Sequence, residues 1–288
     1  MVLGVKMSDT KELKSIDLSS FTIIGTGINI VISILLSIIV IIAIGVISPV
    51  NLGVSIYIVP TIIVGSFMCG IYQFFSNGLF YNLLSAKLRN IKLTFNDDKL
   101  VKMSTTETAT IIGVITLIQT VLLYLVSVFI LPLVINATIQ TLVFGGQQEV
   151  AYTFYQLLLI LSQPMTIIML IFGSFIITFI FVLLGTYIYN FLASKGKGVI
   201  LKLTKENEMT SIDSIDMMSL AIAVAIISAI LHLISGIIML ISGGNITSVI
   251  GGVIINLIAG FVIAAIVAVV YNFLAPKLGK LKIELIDL

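Results

Sequence analysis

Six apolar runs dominate the chain: Phe21 to Ser48, Val54 to Phe80, Ala109 to Ile135, Met165 to Phe191, Met217 to Ile241 and Ile246 to Leu274. Each reaches the roughly 20 helical residues that cross the hydrocarbon core of a bilayer, so each predicts a transmembrane helix. The stretch Ala151 to Leu192 is too long for one span and is broken at Gln163-Pro164, because proline removes a helical N–H and clashes with the preceding turn. Gln140 to Ser162 therefore reads as an interfacial or re-entrant segment ahead of the fourth span. Tyr152, Phe154 and Tyr155 suit an interface belt there. A kinked, strongly tilted helix is the alternative.

A different period follows three of these runs. Ile91 to Phe95, Val199 to Leu203 and Leu281 to Leu285 alternate apolar and polar residues, the pattern of a half-exposed β-strand. Each begins four positions after a lysine (Lys87, Lys195, Lys277), and each lysine follows a Tyr-Asn pair by the same spacing: Tyr81-Asn82, Tyr189-Asn190 and Tyr271-Asn272. The helix starts recur as well. Ile16-Asp17, Met103-Ser104 and the Asp213 to Asp216 segment each offer an N-cap acceptor, and Ser104 with Glu107 matches a capping box. Asn96 to Lys99 and Lys205 to Glu208 are polar, turn-like clusters between alternating runs, which predicts β-hairpins. Glu12 to Ile16 could pair with Leu281 to Leu285 and close the set.

The chain thus reads as one integral membrane domain, 1–288, made of three repeats: 12–95, 100–203 and 209–288. The interval from Tyr81 to Tyr189 exceeds that from Tyr189 to Tyr271, and the surplus falls in an outer-loop insert, 140–162. The expected fold is an all-α polytopic membrane protein with six transmembrane helices in three pseudo-repeated hairpins. Short strands flanking the hairpins form a small, largely antiparallel cytoplasmic β-sheet, and the bundle is pseudo-threefold.

Composition agrees. The 288 residues are 59% hydrophobic and 10% charged, with a mean hydropathy of +1.24, which excludes a soluble globular domain, a disordered chain and a nucleic-acid binder. The net charge of +2 matters less than its segregation. Every Lys and Arg lies in one of four blocks, Lys6 to Lys14, Lys87 to Lys102, Lys195 to Lys205 and Lys277 to Lys282. The positive-inside rule then puts both termini in the cytoplasm and the loops near Asn51, Asn136 and Asn245 outside. The mixed charge before a long first span does not describe a signal peptide, so the first helix is expected to be retained.

An Ile-Asp start, two membrane helices and a Tyr-Asn-x-x-Ala end followed by an amphipathic strand resembles an uncharacterised family of small two-helix membrane domains of bacteria and archaea. Ala193 and Ala275 match this ending, and the first copy has Ser85. The family's Gly-Gly-Ile before the strand is replaced here by Arg89-Asn90, Lys197-Gly198 and Gly279-Lys280. The resemblance implies three tandem copies over nearly the whole chain and no known activity. Mitochondrial carriers share the three-hairpin plan, but their Pro-x-Asp/Glu-x-x-Lys/Arg signature is absent from the odd-numbered spans.

Candidate chemistry is sparse. Apart from His232, the spans hold no ionisable side chain of the kind that marks proton relays or ion sites. His232 is either a pH-sensitive group or, as a lone buried histidine ordinarily is, one partner of an interhelical hydrogen bond. Asn29, Gln119 and His232 are the candidate lining of a pathway. Polar groups between helices serve equally as packing contacts, as do Gly70, Gly236, Gly252 and Gly260. Cys69 has no base in its own repeat, and no Ser-His-Asp set, phosphate loop or Cys/His metal cluster can be assembled. No cofactor is expected.

The most specific feature is the thrice-repeated set Tyr81, Asn82, Lys87; Tyr189, Asn190, Lys195; and Tyr271, Asn272, Lys277. It reads either as an interface or anionic-headgroup site, or as structure, with Tyr anchoring the interface, Asn tying the helix to the sheet and Lys snorkelling. The function expected is a non-enzymatic scaffold or accessory subunit presenting its cytoplasmic sheet to a protein partner, with membrane lipids around it. The alternative is a passive carrier or channel for a neutral or lipidic solute along the pseudo-threefold axis.

Overall fold

The computed structural model describes residues 9–47, 49–161 and 163–288. Lys6, Ser48 and Ser162, each used above as the edge of a segment, lie outside the described residues. The chain is mostly helical and divides into two units, one formed by residues up to Thr108 together with Leu184–Leu288, the other by Ala109–Leu183.

In the first unit lie α1 (Leu18–Ile47), α2 (Ser55–Ser85), α6 (Met217–Ile241) and α7 (Ile246–Leu278), with the first turn of α3 (Thr105–Phe144) and the last turns of α5 (Pro164–Leu192). It also holds six strands: β1 (Asp9–Ile16), β2 (Ile91–Asn96), β3 (Lys99–Met103), β4 (Leu201–Glu206), β5 (Met209–Ile215) and β6 (Leu281–Asp287). They form one antiparallel sheet in the order β3-β2-β1-β6-β5-β4. The two hairpin turns place Asp97 (φ 53°) and Asn207 (φ 58°) in the left-handed region that these side chains tolerate best. The strands at the two ends of that order also meet: Lys99 bridges Ile200, and the Leu100 N–H donates to the Val199 carbonyl at 2.9 Å. The sheet therefore curls until its two end strands meet at this corner, while the rest of the outer edge of β4 has no strand beside it among the described residues.

The curl is regular. Register slips by one residue in β1, β3 and β5, where Lys14, Val101 and Asp213 are the extra residues. Such bulges increase the local twist that brings the two end strands toward each other. Beneath the sheet lies a core that includes Phe95, Leu100, Val199, Ile212, Ile283 and Leu285 with Tyr189 and Tyr271.

Six helices, α1, α2, α3, α5, α6 and α7, are long and apolar enough to cross a membrane. No more than 22% of the most apolar stretch of any of them is buried, and none of that of α5. The second unit contains the rest of α3 and α5 with α4 (Gln148–Leu161) between them. Three expectations change here. The third apolar run does not end at Ile135, because α3 continues to Phe144, with Thr138 and Thr141 donating to the Val134 and Ala137 carbonyls. The segment 140–162 is accordingly divided between the end of α3 and the separate helix α4, and Gly146 (φ 74°) makes the turn. The break at Gln163-Pro164 is where α5 begins. The Ser104–Glu107 capping box is also replaced, since Ser104 Oγ accepts the Lys92 N–H at 3.0 Å.

Candidate functional site

Where α2, α5 and α7 end, the same bonds recur. The Asn82 side chain grips Ile16 on both sides, its Nδ2 donating to the carbonyl and its Oδ1 accepting the N–H, each at 2.8 Å. Asn190 holds Met103 in the same way at 2.8 Å, and Asn272 holds Ile215 at 2.8 and 2.9 Å. The tyrosine of each pair adds a second tie. Tyr81, Tyr189 and Tyr271 donate to the carbonyls of Leu13, Leu100 and Ile212 at 2.5, 2.7 and 2.5 Å. The same hydroxyls accept the Val199 N–H at Tyr189 and the Leu281 N–H at Tyr271. Each pair thus clamps the strand leading into its own helical hairpin, and the second and third pairs also hold the segment leaving it.

A third tie links successive hairpins. Hydroxyls at the helix starts, Ser104, Ser219 and Ser20, accept the N–H of Lys92, Ile200 and Lys282 at 3.0–3.1 Å. The last of these joins the final strand to the first helix. Asp17 and Asp216 cap their helices through the N–H of Ser20 and Ser219 at 2.8 and 2.7 Å. The sequence reading singled out the Asp and Ser caps but missed this hydroxyl-to-strand bond. Its signal was present in the Asp-x-x-Ser spacing at Asp17/Ser20 and Asp216/Ser219.

One expectation is corrected. The three tyrosines are not interface anchors: they are 2–4% exposed, turned under into the core. With Tyr and Asn committed to backbone, only Lys87, Lys195 and Lys277 of the nine residues are open to solvent. Lys277 lies 3.4 Å from the centroid of Phe273 and Lys195 lies 5.7 Å from that of Phe191.

The pathway candidates are dispersed. A Cβ on Gly70 would meet Asn29 Nδ2 at 3.3 Å, and one on Gly252 would overlap the His232 ring, so both side chains pack against a glycine of the partner helix in their own hairpin. Gln119 lies on α3 in the second unit, half-buried. Cys69 is exposed on α2. Among the described residues no group of His, Cys, Asp and Glu could hold a metal ion.

Outside the helices, the sheet carries ion pairs: Lys14–Glu284 at 2.7 Å, Lys280–Asp213 at 2.8 Å and Lys11–Asp287 at 3.1 Å. The Lys280 ammonium, aided by the Thr204 hydroxyl, holds the Asp213 carboxyl below the usual carboxylate range. Lys14, then Ser15, does the same for Glu284. Pairs this exposed contribute little each, about 0–1 kcal/mol. No family model matches the chain, and no curated protein or solved structure is significantly similar to it.

Proposed function

We propose that this is a non-enzymatic, multi-pass membrane protein built of three tandem two-helix units, acting as a scaffold or accessory subunit that presents its cytoplasmic sheet to a protein partner. The observation behind this reading is the ring of ties at the helix ends. The three Asn and three Tyr side chains at the helix ends, with Ser20, Ser104 and Ser219 at the helix starts, fasten one six-stranded sheet to helix termini, and β1 pairs with β6 at its centre. A rigid platform is what such an investment yields. The recurrence of each bond at three places supports three copies of one unit.

The apolar faces support membrane placement. Ile39, Ile42, Leu125, Val126, Ile177, Ile255 and Ile263 are all more than half exposed, surface that water would not tolerate on this scale. The grouping of the described basic residues in blocks that flank or form the strands favours a cytoplasmic sheet. The runner-up, transport along a threefold axis, is weakened because Asn29 and His232 pack within separate hairpins.

The test is isolation of the full chain in mild detergent through a C-terminal tag, followed by mass spectrometry of the intact particle. A stoichiometric second polypeptide, lost in Lys202→Glu or Lys102→Glu at exposed sheet positions, is the expected result. A particle containing this chain alone, unaltered by either change, would contradict the scaffold reading.

A further inference from the structure

In the second unit, α3 with one residue each from α4 and α5 lines a half-open cavity of about 540 Å³, within the roughly 300–1,000 Å³ typical of ligand sites. Its walls are apolar, with Leu123, Val128 and Leu131 from α3, Leu158 from α4 and Leu170 from α5. Three hydroxyl residues, Thr120, Tyr124 and Ser127, line one stripe of α3 at helical spacing. No charged residue lines it, and Glu149 is the only charged residue between Ala109 and Leu183.

We propose that this cavity binds one hydrocarbon chain bearing a neutral hydrogen-bonding group, such as an ester or hydroxyl, drawn from a lipid of the leaflet away from the sheet. The proposal rests on the reading of the helices as membrane spans and goes beyond the scaffold role. Its first support is a contrast in helix packing. Counted from the pinned residues Met103 and Ile215, Thr120 corresponds to His232; counted back from Tyr189 and Tyr271, Leu170 corresponds to Gly252. In the third pair His232 seats on Gly252, and Gly236 lies against Val249. In the second pair those steps are Thr120 with Leu170 and Tyr124 with Ile167, bulkier sets that hold the helices apart.

The occupant follows from what can fill such a space. Apolar walls without contacts lose dispersion energy, and water finds too few partners when only one stripe is polar. Hydrocarbon is what a bilayer supplies. Thr120 to Pro132 lie about 22–40 Å along α3 from Thr105 at ~1.5 Å per residue, which is the far half of a bilayer about 40–45 Å thick. The hydroxyl stripe from Thr120 to Ser127, about 22–33 Å along the helix, lies within the hydrocarbon core of that leaflet. A hydroxyl or ester carried into the pocket finds hydrogen-bond partners there that lipid tails do not offer, and the lack of charge selects a neutral group.

The test is photolabelling of the full chain in membranes with a diazirine-bearing monoacylglycerol, mapped by peptide mass spectrometry. Label is expected on residues 120–132 and near Leu158, displaced by unlabelled monoacylglycerol. Filling the cavity with Leu131→Trp should reduce it at least about tenfold, equivalent to one decade in affinity, while Phe129→Trp on the exposed face leaves it unchanged. Thr120→Val, which keeps the volume, should weaken competition by monoacylglycerol relative to plain alkane. Even labelling of every apolar face, or indifference to Leu131→Trp, overturns the site. Alkaline extraction separates the premises: a chain released by alkali overturns membrane placement and this proposal with it, whereas a retained chain with even labelling overturns the cavity site alone.

Discussion

The third helix pair and the second are built on the same ends but not on the same middle. Both finish in a Tyr-Asn clamp with near-identical distances, and both begin beside a serine that accepts a strand N–H. Beyond that, α6 and α7 interlock along their length. A Cβ on Gly260 would meet the Ala225 Cα at 3.2 Å, and Gly252 and Gly236 continue the contact. The first pair does the same where Gly70 meets the Thr26 Cα at 3.3 Å. In α5 the residue corresponding to Gly70 and Gly260 is Thr178, and the small residue is instead Gly113 on α3, packed under Phe175 and Phe179. One such contact is followed by the cavity. The comparison teaches that the sheet-side clamps set the plan, whereas glycines seated between the two helices decide whether a pair closes.

The strongest way to break this comparison is at the shared end. Asn272→Leu and Asn190→Leu each leave a backbone donor and acceptor unpaired at about 1–3 kcal/mol apiece. Both should lower stability by about 2–4 kcal/mol in detergent-titrated unfolding, equally in the closed and the open pair. An effect in only one pair would show that the clamps are not equivalent.

The middles should respond unequally. Gly260→Leu drives a side chain into the α6 backbone and should cost about 1–3 kcal/mol or more. Gly173→Leu on α5, where a Cβ would meet nothing within 4 Å, should change stability by less than about 0.5 kcal/mol in the same assay.

The smallest effect concerns pH. Asp213 and Glu284 have folded pKa values below their ordinary 3.8 and 4.5. Their contribution is therefore complete above those values and is lost as pH falls through the lower folded values. Near-ultraviolet circular dichroism of the tyrosine clamps should weaken below about pH 4, and Glu284→Gln should flatten that dependence. A second unit with Glu149 as its only charged residue should show no comparable change in helix content.

Much of this could be read from the residues, and the failures have physical causes. The strands, their hairpins and the pairing of Glu12 to Ile16 with Leu281 to Leu285 followed from the period-two pattern and the recurring motif. Asn82, Asn190 and Asn272 tie helix end to strand, which was one of the two readings the sequence left open for them. The tyrosines were misassigned because a tyrosine at the end of an apolar helix occupies the same place in sequence whether it faces headgroups or turns under into a core. Only the packing of Phe95, Leu100 and Ile212 around it decides. The end of α3 was missed because Asn136, Thr138 and Thr141 look like a loop, yet threonine hydroxyls bonding back to carbonyls let the helix continue. The cavity could have been found from Thr120, Tyr124 and Ser127, a hydroxyl stripe on an otherwise apolar helix, had the second pair been aligned with the third.

The most direct test of the contrast is cysteine cross-linking in native membranes in a Cys69→Ser background. Gly236→Cys with Val249→Cys, whose Cβ positions are 3.3 Å apart, close to the roughly 3.5–4.5 Å of disulfides, should oxidise readily. Tyr124→Cys with Ile167→Cys, the corresponding pair of the second hairpin, should not. Equal cross-linking at both would mean that the second pair closes as the others do, and the distinction between platform and open site would fall.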